Sequence, residues 1–406
     1  MIKKFFHALL LRRRFWRYAT MSEVAEIYMS RMLRVMALNM MSAFIVIYLY
    51  QNGFSVSLIA FIWAALYGFK MLIALPLATL VAWIGPKHST FVSNLLYIPA
   101  MILFALIPIH GDWLIIPALT FQAVSTVLYT ISHSVNFSKV KSLEHAGKEI
   151  AVMNIVEKVA AGLTPMLGGF LTLLWGPQVV IGISALLFLF AAAPLFRTGE
   201  QVQTRRVLKF RGFPWRLFFG QFGAHIATGF DGFASGVVWS LYVAIIVIGM
   251  GHGNEVYAVT GALLSVVFVV SLIFSYIYGR LIDRRKGWLL YKTGVLASVF
   301  VHAMRPFITT TIAVAGLNAV KEATNTAYML PYTRASFDSA DISGARSTYL
   351  GLTDATSNFG AALSSLALGV IALAIPQGAA GFHVFFFMTA AVMLLFLTAR
   401  FPLYKK

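Results

Sequence analysis

The sequence predicts an all-α membrane protein, with twelve transmembrane helices in two pseudo-symmetric six-helix halves and both termini in the cytoplasm. Three observations carry that expectation: a composition that water cannot solvate, an alternation of charge between successive breaks, and an internal repeat. Of 406 residues, 59% are hydrophobic and 11% charged, and the mean hydropathy is +0.81. A water-soluble domain carries roughly a quarter charged residues, because its surface must be hydrated. Half that fraction leaves lipid as the solvent.

The first segment, 1–29, is basic: Lys3 and Lys4 precede a short apolar run, and Arg12, Arg13, Arg14 and Arg17 follow it. No small-residue cleavage site comes next, so the segment reads as a cytoplasmic amphipathic stretch lying on anionic headgroups. Apolar stretches of roughly twenty residues, enough to cross a bilayer, then recur. The first six fall at 30–50, 57–83, 90–109, 113–136, 149–173 and 178–196. Six more fall at 216–247, 255–278, 288–304, 307–332, 345–374 and 381–401. A basic linker, 197–215, divides the chain into halves 30–196 and 216–402.

Alternate breaks differ in charge. One set holds Lys87; Lys139, Lys141 and Lys148; Arg205, Arg206, Lys209 and Arg211; Arg280, Arg284, Arg285 and Lys286; and Arg334, Arg346, Lys405 and Lys406. The other set has Arg305 as its only basic member. Basic loops stay in the cytoplasm, so the alternation requires an even number of crossings and accounts for the net charge of +18 without nucleic acid. The expected location is the inner (cytoplasmic) membrane, as a multi-pass monomer.

Cysteine is absent, which excludes thiolate zinc sites and cysteine nucleophiles. The nine histidines show no metal-ligand spacing, and the 14 acidic residues form no cytoplasmic cluster for metal-bound diphosphates. The expectation is therefore no metal, no cofactor and no enzymatic chemistry. The repeat supports the two-half division. Gly147 and Gly344 open the fifth and eleventh spans, and Glu157 and Asp354 follow ten residues later, both pairs at a 197-residue offset.

The loop Gly279-Arg280-Leu281-Ile282-Asp283-Arg284-Arg285-Lys286-Gly287 resembles the loop motif of the major facilitator superfamily. Gly279 permits close helix contact, Asp283 pairs or caps at a neighbouring helix end, and the basic residues hold the loop at the interface. The first-half copy is eroded, with Ala82 where the motif has its aspartate. Gly162-Leu163-Thr164-Pro165-Met166-Leu167-Gly168-Gly169 is similar to a pattern common among the family's exporters. With Gly360 in the eleventh span, Gly162, Pro165, Gly168 and Gly169 are also candidates for tight helix packing. The resemblance implies secondary active transport of a small organic solute by alternating access, proton-coupled, with export favoured over uptake. A lipid or lysolipid flippase and a non-transporting sensor of the same fold stay open.

Charges inside spans cost at least ~2.5–3.5 kcal/mol each and need a cavity or a partner. The candidates are Lys70, Glu157, Lys158, Asp231, Lys321, Glu322 and Asp354. The third, sixth and twelfth spans carry no mid-span charge, and the ninth has only Lys292 and His302, expected to snorkel. The resemblance implies that these four are outer scaffold and the rest line the substrate path. Three readings follow: Asp231 or Glu322 as proton carrier, Lys70, Lys158 and Lys321 facing an anionic substrate, or structural pairing such as Asp231 with Lys321.

Overall fold

The computed structural model describes residues 21–140, 146–196, 207–249, 255–265, 267–375 and 378–404. Most of the basic N-terminal segment and the first half of the linker, with Arg205 and Arg206, lie outside the described residues, as do Lys141, Lys405 and Lys406.

Helices follow one another with short breaks. In the first half these are α1 (Met21–Gln51), α2 (Val56–Ile84), α3 (Pro86–His110), α4 (Ile115–Val140), α5 (Ala146–Trp175) and α6 (Pro177–Ala192). A turn of helix at Trp215–Phe219 leads into α7, which is α-helical over Phe222–Phe233 and Trp239–Tyr242 and π-helical over Ala234–Val238 and Val243–Ile248. The helix α8 is described as Glu255–Ser265 and Val267–Leu281. It is followed by α9 (Gly287–Met304), α10 (Thr311–Ile342), α11 (Arg346–Ala374) and α12 (Ala380–Met393). Among the described residues, eight of these helices are long and apolar enough to cross a membrane, and α5, α8, α9 and α10 fall outside that set.

Local chemistry explains the breaks. The amide of Leu58 donates to Ser55 Oγ at the start of α2, and that of Ala313 to Thr310 Oγ1 at the start of α10. Two Gly-Pro steps end one helix and begin the next: Gly85 (φ 94°) before Pro86, and Gly176 (φ 82°) before Pro177. Glycine reaches the left-handed region without a Cβ clash, and proline at the first helical position loses no hydrogen bond. Two boundaries differ from expectation. The tenth helix runs on to Ile342, so Arg334 lies inside it, where its Nη1 donates to the carbonyl of Ile282 (3.4 Å). The first helix begins at Met21, so Glu26 is helical and forms a buried ion pair with Lys87 at 2.9 Å. Lys87 is therefore a packing charge rather than a solvated loop charge.

Packing repeats with a shift of six helices. The helix α1 packs on α5, α2 on α4 and α3 on α4 and α6; likewise α7 packs on α11, α8 on α10 and α9 on α10 and α12. Two seams join the sets, α2 against α11 and α5 against α8. Around Gln51 and Tyr242 one apolar cluster draws on both sets of helices. Large apolar side chains such as Leu72, Ile116, Phe190, Phe300 and Val370 remain exposed, which suits a lipid-facing surface and not a hydrated one.

Candidate functional site

Buried charges gather in two constellations and one cavity. In the first set of helices, Arg34 of α1 is 1% exposed. Its Nη1 donates to Asn94 Oδ1 of α3 (2.7 Å) and its Nη2 to Ser125 Oγ of α4 (3.2 Å). Its guanidinium lies 3.9 Å from the Tyr129 ring centre, 5.6 Å from Tyr97 and 5.4 Å from Phe188. Rings, an amide and a hydroxyl solvate this cation; among the described residues it has no carboxylate partner, and its Nε is unpaired. One turn earlier, Arg31 donates through Nε to Glu157 and through Nη1 to the Tyr129 hydroxyl (3.2 Å).

In the second set the centre is Asp231 of α7. Lys321 of α10 approaches both its oxygens at 3.0 Å, and His302 Nε2 of α9 and Ser235 Oγ each donate at 2.8 Å. The Tyr328 hydroxyl donates as well. Arg305, 2% exposed, donates to the carbonyl of Ala234 (3.2 Å) and to Ser235 Oγ (3.1 Å) beneath Trp239 and Phe386. Two expectations are corrected here. His302 does not snorkel, because it is fully buried against Asp231. Arg305 is not a loop charge, because it is buried and donates to the Ala234 carbonyl and to Ser235 Oγ of α7.

The two constellations correspond. Asp231 follows Arg34 by the same 197 residues that separate Glu157 from Asp354. Each is a charge on the first helix of its set, held by the third and fourth helices, and the signs are opposite. The sequence reading passes over Arg31, Arg34 and Tyr328, and names Arg305 only as a loop charge. For the two α1 arginines the signal was present, since both fall within the 30–50 span and Arg34 obeys the repeat offset.

A cavity of about 470 Å³ lies between the two sets of helices. Arg31 and Glu157 line one side, and Asp354 of α11 lines the other with Thr228, Tyr332 and Ser336. Asp354 accepts from Asn358 Nδ2 (3.0 Å) and meets no cation at ion-pair distance among the described residues. Lys70 of α2 is buried nearby, its ammonium 4.9 Å from the Tyr67 ring centre and in electrostatic reach of Asp354. A second cavity of about 680 Å³ lies at the Gly344 end and is lined by Ala82, Pro86, Lys209, Asp341 and Arg346.

The other predicted residues lie elsewhere. Glu322 is buried and accepts from Ser271 (2.8 Å) and Thr326 (3.3 Å). The side chain of Lys158 lies outside the described residues, as do those of Lys139 and Lys148. Gly279 is buried; Asp283 sits 3.7 Å from Arg334 of α10, while Arg284 and Arg285 are exposed. Buried Gly162 and Pro165 lie on α5. A Cβ at Gly168 would strike the Met40 carbonyl, and one at Gly169 the Tyr257 carbonyl. The same holds for Gly360 against Ile226 and Gly261 against Pro165.

The sequence and the fold match known proteins. Residues 27–320 match the family model of the Major Facilitator Superfamily. The crystal structure of the human organic anion transporter MFSD10 (TETRAN) is similar in fold, with a TM-score of 0.67 over 93% of this chain and 99% of that one. Sequence identity between the two is 12%, so the likeness is one of fold. No curated protein matches this sequence. The chain belongs to the Major Facilitator Superfamily, and it is a multi-pass membrane transporter, not an enzyme.

Proposed function

We propose that this protein moves a small organic solute across the inner (cytoplasmic) membrane by alternating access, with the 470 Å³ cavity as its binding site. The observation that carries the reading is that this cavity is walled by both sets of helices and holds ionisable groups from each, Arg31 and Glu157 against Asp354. Its volume is that of a drug-sized ligand site, which spans roughly 300–1,000 Å³. A charge in such a place is expensive unless a ligand or counter-ion uses it. Twelve crossings with both termini cytoplasmic, and a monomeric chain, complete the picture.

Transport is proton-coupled, and Asp354 is the carrier. Asp231 and Glu322 are less suited. Lys321, His302, Ser235 and Tyr328 all donate to the Asp231 carboxylate, so a proton arriving there has to displace a bound donor. Glu322 is buried behind the lining residue Thr326 and held by it and Ser271, whereas Asp354 faces the cavity with one amide donor. The Gly162 to Gly169 stretch, which packs directly on α8, favours export. Purified protein in proteoliposomes tests this: Asp354→Asn should abolish gradient-driven flux while substrate exchange continues. Intact driven flux in that variant would assign the proton to another acid.

A further inference from the structure

We infer that the substrate is an organic monoanion, whose acidic group binds Arg31 with the buried Arg34 charge behind it, while Asp354 on the facing wall excludes a second negative charge. This deepens the transport reading above and rests on it.

The case begins on α1. Arg31 and Arg34 are three residues apart, hence neighbours on one helix face. Arg34 cannot turn towards a carboxylate, because Asn94, Ser125 and three aromatic rings hold it where it is. Arg31 is the member that reaches the cavity, and Glu157 is the only carboxylate bonded to either guanidinium among the described residues. Two fixed positive charges therefore share one negative charge in a medium that screens poorly.

Charge around the cavity points the same way. On the lining Arg31 is set against Glu157 and Asp354, and behind it Arg34 and Lys70 are buried, which leaves one positive charge in excess among these five groups. A monoanion neutralises it. A guanidinium also offers parallel N–H donors that fit a carboxylate, sulfonate or phosphate. Arg31 Nη2 donates to no protein group among the described residues. On the facing wall, Asp354 Oδ1 accepts from no protein group among the described residues, and in its ionised form the carboxylate repels a second acid. Between the two charges the lining includes Ile131, Met329, Leu330 and Tyr332, which suits an organic body and not a bare inorganic anion.

A ligand panel matched for size and varied in charge tests the inference on the full chain in nanodiscs, read by thermal shift, and in proteoliposomes, read by exchange. The monoanions are benzoate, octanoate and benzenesulfonate, and the dianions are phthalate and suberate. Benzyltrimethylammonium supplies the cation, and benzamide and octanamide the neutral controls. Monoanions should stabilise the protein and exchange. Arg31→Gln should weaken them roughly ten- to a hundredfold, as for a lost charge-assisted hydrogen bond. Asp354→Asn should admit the dianions, a gain that misfolding cannot mimic. Stabilisation by the cation or the amides alone would overturn the inference and leave transport standing. Dianions rejected equally by wild type and Asp354→Asn would overturn the role given to Asp354. Wild-type protein that neither binds nor exchanges the monoanions would overturn the inference, while the transport reading is judged separately by gradient-driven flux in wild type and Asp354→Asn.

Discussion

Asp231 and Arg34 occupy corresponding places but are stabilised differently. Asp231 is neutralised by Lys321 and hydrogen-bonded by His302, Ser235 and Tyr328. Removing one partner of a buried pair leaves an uncompensated charge and costs about 3–5 kcal/mol. Lys321→Met should therefore lower stability by that order, and adding Asp231→Asn should recover a good part of it. Among the described residues Arg34 has no ion-pair partner to strand. Arg34→Met should unfold at nearly the wild-type temperature while losing substrate affinity, because removing an unpaired buried charge offsets the lost polar contacts. Thermal unfolding followed by the intrinsic tryptophan fluorescence of the eight tryptophans reads both variants.

Among the helices, close approach of backbones divides into two kinds. Gly229 of α7 faces the Ser357 carbonyl of α11, and Gly360 of α11 faces the Ile226 carbonyl of α7, both within the second set. Gly261 of α8 faces the Pro165 carbonyl of α5, and Gly169 faces the Tyr257 carbonyl, both across the seam. Overpacking a tight contact costs roughly 1–3 kcal/mol. Gly229→Ala should therefore appear mainly as lost stability. Gly261→Ala wedges a surface that must rearrange during alternating access, so it should change the exchange rate more than the unfolding temperature. Equal effects of the two on both measurements would contradict this division.

For the molecule as a whole, the question is which end opens. The Tyr257 hydroxyl donates to Gln51 Oε1 (2.6 Å) across the two sets of helices, beside the large apolar cluster they share. The cavities of about 470 and 680 Å³ lie towards the opposite end, past Asp354 and Gly344. Removing one hydrogen bond shifts a two-state equilibrium by about 1 kcal/mol, roughly fivefold in population. Tyr257→Phe should therefore favour opening at the Gln51 end. The cysteine-free chain allows a direct reading: Ala244→Cys, fully buried in that cluster, should react faster with a membrane-impermeant thiol reagent when Tyr257→Phe is added.

The sequence by itself determined the helical membrane class, the family, and which residues carry charge at helix interiors, because transfer to lipid acts on each segment separately. The Gly147 to Gly344 and Glu157 to Asp354 offsets are likewise one-dimensional facts. Only the tertiary structure decided which charges meet. Asp231 and Lys321 are 90 residues apart, and Arg31 and Glu157 are 126 apart, so their pairing depends on how helices pack. The same packing took His302 and Arg305 from helix ends to the interior, where they meet the Asp231 carboxylate and the Ala234 carbonyl of α7, contacts that periodicity does not reveal. It also left Arg34 without a counter-ion among the described residues, which is a property of surroundings and has no signature in the residue itself.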